Sequence, residues 1–258
     1  MLRRLLPYLV AVLLPGALLL TLLLLTPGGR ASLHRLTLLM HSDRTVDDRL
    51  REFGGRAEAF WRARCAGVGL DYPPEGIAMA VFKDRRTMVV LGRRRSAWRV
   101  LEAFDILGLS GSPGPKLREG DRQVPEGIYP IESLNPNSRF HVSLRLEYPS
   151  AFDRSMADAD GRNASRVPLG SDIMIHGGSD SVGCLAMGDP TAELLFALAA
   201  ACGPAQCEVI VAPCDLRARR PELANPPDWL PALYDRIESR LRELDLPRVT
   251  QPSAPGSP

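Results

Sequence analysis

The chain has 258 residues, of which 45% are hydrophobic and 24% are charged, as in an ordinary folded protein. Its formal net charge of +2 at pH 7 is too small to indicate a nucleic-acid-binding surface. The sequence contains no spaced CxxC pair and no glycine-rich nucleotide loop. We therefore predict no metal, no cofactor and no nucleic-acid partner, and we interpret the arginine cluster Arg93–Arg95 as a solvated turn.

The first 30 residues have the pattern of a membrane anchor. Residues 5–26 are apolar throughout and follow Arg3 and Arg4. These 22 residues exceed both the roughly 20 that span a bilayer and the apolar core of a cleavable signal. Arginines before the span favour a cytoplasmic N-terminus, with the rest of the chain outside. We predict a protein of the cell envelope that is anchored in the cytoplasmic membrane and faces the periplasm. Cleavage near Ala31 would instead release it as a secreted protein.

Five cysteines suit an exported protein, and their odd number leaves one thiol unpaired. Cys202 and Cys207 flank a four-residue turn and are close enough in sequence to form a bridge, if the geometry allows. Cys65 and Cys214 are the other candidates for pairing. Cys184, in a glycine-rich stretch, is the predicted free thiol.

Residues 31–76 are predicted to form a helical stem. Thr45 is placed to cap a helix, with Asp48 at the third helical position. Gly54 and Gly55 interrupt the pattern. The segment is interpreted either as a stem beside the membrane or as a helix packed on the domain that follows. Its apolar side chains recur at spacings of three and four, on one helical face: Leu50, Phe53, Ala57, Trp61 and Cys65.

Strand patterns begin at residue 77. Residues 77–91 predict a hairpin at the edge of the domain, and residues 108–127 are rich in glycine and proline, which indicates turns. Residues 140–148 alternate as in a half-buried strand. The predicted inward face holds Phe140, Val142, Leu144, Leu146 and Tyr148, and the outward face holds His141, Ser143, Arg145 and Glu147.

The C-terminal half alternates strands and helices. A short strand delivers His176 at its end, and a helix capped by Asp189 runs to Gly203. Another strand follows at residues 207–213. Residues 215–246 are predicted to form a helical extension with a packed apolar stripe, and residues 247–258 are predicted to be a disordered tail. The stripe comprises Leu230, Leu233, Tyr234, Ile237, Leu241 and Leu244.

The stretch HGGSDSVGCLAMGD brings a histidine and a cysteine into one glycine-rich turn. A thiolate can attack a carbonyl if a partner takes the proton of the thiol, and His176 is the only histidine near Cys184 in sequence. Backbone N–H groups of Ser181, Gly183 and Cys184 lie in the turn that an oxyanion site requires. The pair is therefore a candidate acyl-transfer site, although a packed or bridged cysteine would also fit these residues alone.

Two motifs resemble the L,D-transpeptidase family, the YkuD-type catalytic domain. The first is the histidine, glycine and SxGC turn just quoted. The second is EGDRQVPEGIYPI at residues 119–131, where Val124 replaces the usual threonine. The hairpin at residues 77–91 also fits the first strands of the family. The resemblance covers residues 77–213 and places the catalytic domain at residues 77–214.

The resemblance implies an α+β fold, mainly a β-sandwich with packed helices, acting on peptidoglycan stem peptides. It implies that Cys184 attacks an L-to-D peptide bond to form an acyl-enzyme, that His176 is the base, and that the Gly177 carbonyl orients the histidine. An amine acceptor would give a cross-link or attach a protein. A peptidoglycan-linked protein is accordingly a candidate partner beside the stem peptides.

Two departures from the family pattern leave alternatives open. Val182 and Ala186 stand where most members have histidine and a substrate-binding arginine. His141 and Arg154 are candidate substitutes for that arginine, and Ser181 is a candidate donor to substrate or a residue that shapes the turn. The alternatives to transpeptidation are an L,D-carboxypeptidase or endopeptidase, a hydrolase of peptidoglycan–protein links, and a non-catalytic peptidoglycan-binding protein.

Overall fold

The computed structural model describes residues 44–247, where a nine-stranded mixed sheet is packed with helices, in agreement with the predicted α+β class. No helix within this range is long and apolar enough to cross a membrane. The predicted span at residues 5–26 lies outside the described residues, as does nearly all of the predicted tail. In chain order the elements are α1 (Val46–Arg49), a π-helical turn (Leu50–Gly54), α2 (Gly55–Gly67), β1 (Gly76–Phe82), β2 (Thr87–Arg94), β3 (Ala97–Asp105), β4 (Gly108–Leu109), β5 (Gly127–Ser138), β6 (His141–Leu146), α3 (Ala151–Ala159), β7 (Met174–His176), β8 (Leu185–Ala186), α4 (Asp189–Cys202), β9 (Cys207–Ala212) and α5 (Leu230–Glu243).

The first helix begins as its sequence predicts. Thr45 and Asp48 form a reciprocal capping box, in which each side chain accepts a backbone N–H of the other residue. The two glycines do not end the helix: Gly54 is the last residue of the π-helical turn, and Gly55 is the first residue of α2. Trp61 is fully buried and donates from its indole nitrogen to Leu194 O at 2.8 Å. The helix is therefore packed on the domain through its predicted apolar face.

The strands follow the order β3-β2-β1-β9-β5-β6-β7-β8-β4. The predicted hairpin of β1 and β2 is present, but its predicted position at the edge is wrong. Every residue of β1 is buried, because β1 pairs in parallel with β9 as well as antiparallel with β2. The edge is formed by β3, which the sequence pattern did not predict. Strand β5 joins the two halves of the sheet, since it pairs first with β9 and then with β6.

Helices cover the sheet and complete its core. Helices α2 and α4 pack with apolar side chains of β1, β6 and β7, whereas α5 packs on the opposite side of β1 and β9. Strand residues 77–82 supply alternate side chains to these two clusters. The predicted stripe of α5 is confirmed as buried: Leu230, Leu233, Tyr234, Ile237, Leu241 and Leu244.

The predicted strand at residues 140–148 is shorter and partly differently oriented. Strand β6 begins at His141, whose φ of 74° lies in the left-handed region that a non-glycine residue rarely adopts. Phe140 therefore falls outside the alternation and is 44% exposed, contrary to its predicted inward position. Ser143, predicted to face outward, is fully buried. The helix α3 that follows, capped by Ser150, was not predicted.

All five cysteines are free thiols in the described residues. The bridge considered for Cys202 and Cys207 is not formed, and the Cys207 thiol instead donates to Gly203 O at 3.2 Å. Burial raises the pKa of both Cys202 and Cys207 to about 12. These two thiols therefore stay protonated and unreactive near neutral pH.

Candidate active site

The glycine-rich stretch places the candidate base at the end of β7 and the candidate nucleophile just before the neighbouring strand β8. Strands β7 and β8 are parallel, with Ile175 opposite Leu185 and His176 opposite Ala186. Cys184 immediately precedes β8, one residue before the pair formed by Ile175 and Leu185. Gly183 makes the entry to β8 with φ +88°, a conformation that L side chains rarely adopt. The fold thus brings together two residues that the sequence placed in one turn.

The His176 imidazole is held as a neutral base. Only 2% of the residue is exposed, and its Nδ1 lies 2.6 Å from Gly177 O. A carbonyl oxygen only accepts hydrogen bonds, so Nδ1 carries the proton and the neutral ring presents a free lone pair at Nε2. Burial lowers the pKa of His176 from its ordinary value, outweighing the Gly177 hydrogen bond, which raises it. At neutral pH, Nε2 can therefore accept a proton.

Gly177 is fixed by the groups packed around its α-carbon. A Cβ at this position would lie 2.3 Å from Asp189 Oδ1 and 2.7 Å from Phe140 O, too close for any side chain. Asp189 was predicted to cap α4, but Gly188 is the N-cap residue. The Asp189 carboxylate instead accepts from Gly178 N at 2.9 Å. It therefore ties the start of α4 to the backbone beside the base.

The Cys184 thiol is partly exposed and donates to Asp172 O at 3.5 Å. Within residues 44–247, no hydrogen bond joins this thiol to the His176 imidazole. Burial raises the pKa of Cys184, and the Asp172 carboxylate adds to that effect. The backbone N–H of Met174 and the Lys116 ammonium oppose it. The resting pair is therefore a thiol and a neutral imidazole, so activation requires proton transfer.

Alkylation of Cys184 should consequently be slow at neutral pH and should accelerate through pH 9 and above. A raised pKa leaves less thiolate at pH 7 than a free cysteine has, and the thiolate is the nucleophile. The measurement is the rate of carboxamidomethylation by iodoacetamide at each pH, followed by mass spectrometry of the peptide that contains residue 184. Buried Cys65 provides an internal control that should remain unlabelled. A labelling rate that is already at its plateau below pH 8 would contradict this assignment.

In the turn before β8, two of the predicted oxyanion donors already make hydrogen bonds to serine hydroxyls of the protein. Cys184 N donates to Ser181 Oγ at 3.1 Å, and Gly183 N donates to Ser110 Oγ at 2.7 Å. The Ser181 hydroxyl proton goes to Cys184 O. Ser181 therefore shapes the turn, as one of its two predicted roles states, and its role as a donor to substrate stays a prediction. Ser110 was not predicted because it lies far upstream and reaches the turn only through the pairing of β4 with β8.

The two candidate substrate-binding residues lie in different surroundings. His141 is partly buried, and its Nε2 lies 2.7 Å from Glu193 Oε1 on α4. The prediction that His141 faces solvent is therefore wrong, whereas its role in substrate binding stays a prediction. Arg154 is exposed and donates to Pro149 O. It lines a cavity of about 430 Å³ whose wall includes Ser171, the residue before Asp172.

Arg145 is a cation near the thiol that the sequence analysis did not select. Its Nε lies 2.7 Å from Glu132 Oε2, and its Nη1 lies 2.8 Å from Asp172 Oδ1. Asp172 links the two groups, because its carboxylate binds the Arg145 guanidinium and its backbone carbonyl accepts from the Cys184 thiol. The only available signal was its place on the polar face of β6, opposite Met174. No group of three or more His, Cys, Asp and Glu side chains in residues 44–247 is arranged to hold a metal ion.

The second motif, at residues 119–131, builds the framework beside the turn. Asp121 pairs with buried Lys116 at 2.6 Å and accepts backbone N–H groups at the start of the loop. Glu126 is buried and binds Lys83 Nζ at 2.9 Å and Tyr234 OH at 3.0 Å. The loop that these residues anchor lies against Gly183 through Gln123 O. The motif residues therefore act through structure rather than by contacting the thiol.

Comparison with known proteins agrees with these motifs. The chain is 32% identical over 122 residues to the protein named "Putative L,D-transpeptidase YafK" from Escherichia coli, in both strain K12 and O157:H7. The match covers 46% of this chain and 46% of each relative, so the chain spans about half the length of the curated relatives it matches. No protein-family profile matches the chain.

Solved structures are also similar in part. The helical cell shape determining protein Pgp2 from Campylobacter jejuni aligns with a TM-score of 0.40 at 18% identity, covering 64% of this chain and 56% of Pgp2. L,D-transpeptidase 1 from Mycobacterium tuberculosis aligns with a TM-score of 0.31 at 14% identity, covering 53% of this chain and 62% of that protein. Over 122 residues, then, the chain is similar to a putative L,D-transpeptidase, which agrees with the resemblance of its two motifs to the YkuD-type domain.

Proposed function

We propose that the chain is a cysteine acyltransferase that acts on peptidoglycan stem peptides through a thioester on Cys184. The observation that carries the proposal is that a partly exposed thiol lies just before β8, next to strand β7, which ends at a buried, neutral imidazole. The similarity to YafK supports the substrate class. We further propose that residues 77–214 form the catalytic domain and that residues 5–26 hold it outside the cytoplasmic membrane.

The first half of the reaction forms the acyl-enzyme. His176 Nε2 takes the proton from Cys184 Sγ, and the thiolate attacks the carbonyl carbon of an L-to-D peptide bond. The carbon–nitrogen bond then breaks, and the leaving amine takes the proton from the imidazolium. The thiol must first release Asp172 O, its present hydrogen-bond acceptor. Backbone donors of the turn would stabilise the oxyanion once the two serine hydroxyls shift away.

The second half decides the product. The neutral imidazole takes a proton from the acceptor, which attacks the thioester and releases Cys184 as a thiol once the proton has returned to sulfur. A diamino-acid amine would give a cross-link, an amine of a protein would give an attachment, and water would give a shortened peptide or cleave an existing link. The site chemistry is the same in each case, so acceptor identity distinguishes transferase from hydrolase.

Arg145→Ala should weaken binding of a donor peptide that carries a free carboxylate. The motif arginine is replaced by Ala186, and Arg145 is the guanidinium tied to the thiol through Asp172. Loss of one charged hydrogen bond, about 1.4 kcal/mol, corresponds to a KM about tenfold higher. The measurement is KM for acid and amidated forms of the same peptide. Arg242→Ala, which removes a remote exposed ion pair with Glu238, is the matched control. Equal KM changes for both peptides would contradict this role.

The proposed function is tested by incubating the full-length chain with disaccharide-tetrapeptide, with and without a diamino-acid acceptor, and analysing products by mass spectrometry. Cross-linked products that require Cys184 would establish a transpeptidase, whereas shortened peptides alone would establish a hydrolase. A mass increase on Cys184 equal to the acyl group would identify the intermediate directly. Binding of the peptide with no product and no acylation would instead establish the non-catalytic alternative.

A further inference from the structure

An exposed aromatic ring covers the buried imidazole of the candidate base. The rings of Phe140 and His176 are stacked, with centroids 4.5 Å apart and planes 26° from parallel. Phe140 is 44% exposed, whereas His176 is 2% exposed. Phenylalanine is among the residues most often found fully buried, and here a partly exposed one lies on the ring of the candidate base. The Phe140 ring therefore covers one face of the imidazole on the side of the solvent.

The backbone of the same residue is part of the support. Gly177 N donates to Phe140 O at 3.0 Å, and Gly177 O accepts from His176 Nδ1 at 2.6 Å. Phe140 therefore contacts the base directly through its ring and indirectly through the carbonyl that binds Gly177. Any displacement of residue 140 would disturb both contacts.

The strand does not by itself explain the position of Phe140. The residue lies before β6, and the φ of 74° at His141 interrupts the alternation that would have directed its ring into the core. The regular strand conformation would avoid this uncommon backbone geometry. The ring instead stacks on the base, which is the interaction that this backbone conformation permits.

We propose that Phe140 is a positioning residue that holds the His176 imidazole in the orientation set by Gly177 and shields its face from water. The proposal rests on the function proposed above, in which His176 is the base. Shielding disfavours the charged imidazolium, so Nε2 remains ready to accept a proton. This agrees with the direction of the pKa of His176, which burial lowers.

Charged groups around the base do not account for the lowered pKa of His176. The Asp189 carboxylate binds Gly178 N, and the Glu193 carboxylate binds His141. Arg145 pairs with Glu132 and Asp172. Cys184, the other titratable neighbour, is a thiol that donates to Asp172 O. In the described part of the chain none of these groups makes a hydrogen bond or an ion pair with the imidazole.

The test compares Phe140→Ala with Phe140→Tyr in the full-length chain. Opening the ring face should raise the pKa of His176 towards about 6.5, its ordinary value. The acid limb of the pH profile of kcat/KM should shift to higher pH by the same amount. The value of kcat should fall about 10- to 100-fold because the base is misplaced. KM should change little, and Phe140→Tyr should retain the wild-type profile because it keeps the ring. Leu107→Ala, which shortens another exposed apolar side chain, is the control.

NMR titration of isotope-labelled histidine separates this proposal from the proposed function. A higher His176 pKa in Phe140→Ala but not in Phe140→Tyr supports shielding even if no variant shows turnover, in which case the catalytic proposal alone fails. An unchanged His176 pKa with an unchanged pH profile in an active enzyme would overturn the role of Phe140. A fall in kcat that tyrosine does not restore would also overturn it, because the ring would then not be the cause.

Discussion

Replacing Cys184 with alanine should eliminate acyl-enzyme formation and lower kcat by about 10⁵- to 10⁶-fold, the order that loss of a nucleophile costs a comparable site. The Sγ atom forms the covalent bond in the proposed reaction, and alanine offers no atom in its place. The other cysteines cannot replace it. Cys65, Cys207 and Cys214 are buried, and the thiol of Cys202 is held protonated by its high pKa.

The loss should occur without loss of the fold. Cys184 is only partly buried, and the hydrogen bonds of its turn use backbone atoms and the Ser181 hydroxyl rather than the thiol. The measurement is product formation by mass spectrometry together with the thermal unfolding midpoint of each variant. Cys202→Ala is the matched control and should retain activity. Turnover by Cys184→Ala within tenfold of wild type would refute the thioester mechanism.

Local sequence patterns predicted the elements that local chemistry determines. The capping residue Thr45 placed the start of α1, Gly203 placed the end of α4, and the apolar stripe predicted the buried face of α5. His176 at the end of β7 followed from the short apolar strand before it. In these segments each residue's role depends on neighbours within one or two turns of the chain.

Pairings between strands that are distant in the chain determined the features that the sequence patterns did not predict. Hairpin residues 77–91 had an unambiguous pattern, but their central position depends on β9, which comes more than a hundred residues later. Phe140 fitted an alternating strand until the backbone at His141 broke the alternation. Ser110 is brought to the turn, and Arg145 to Asp172, only by the pairings of their strands with β8 and β7. These contacts combine polar residue types that are common on any strand face, so composition gave no sign of them.

Glu126→Ala should destabilise the domain by about 3–5 kcal/mol, the cost of leaving a buried charge unpaired. The side chains of Lys83 and Glu126 are 3% and 0% exposed, and their charged atoms lie 2.9 Å apart. Glu126 also accepts from Gly114 N and Tyr234 OH, so it connects the turn after β1, the loop before β5 and helix α5. Removing the carboxylate would leave Lys83 with only two carbonyl acceptors in this region, Gly114 O and Val124 O.

Thermal unfolding would measure this cost. For a domain of this size, 3–5 kcal/mol corresponds to a midpoint lower by about 6–20 °C. The double variant Lys83→Met/Glu126→Leu removes both charges and should recover part of the loss, because a buried pair can be replaced by apolar groups at little cost. Glu238→Ala, which breaks exposed ion pairs, should cost at most about 1 kcal/mol. If the double variant were no more stable than Glu126→Ala, the unpaired charge would not be the cause. The loss would then belong to the hydrogen bonds through which Glu126 holds the loop against Gly183.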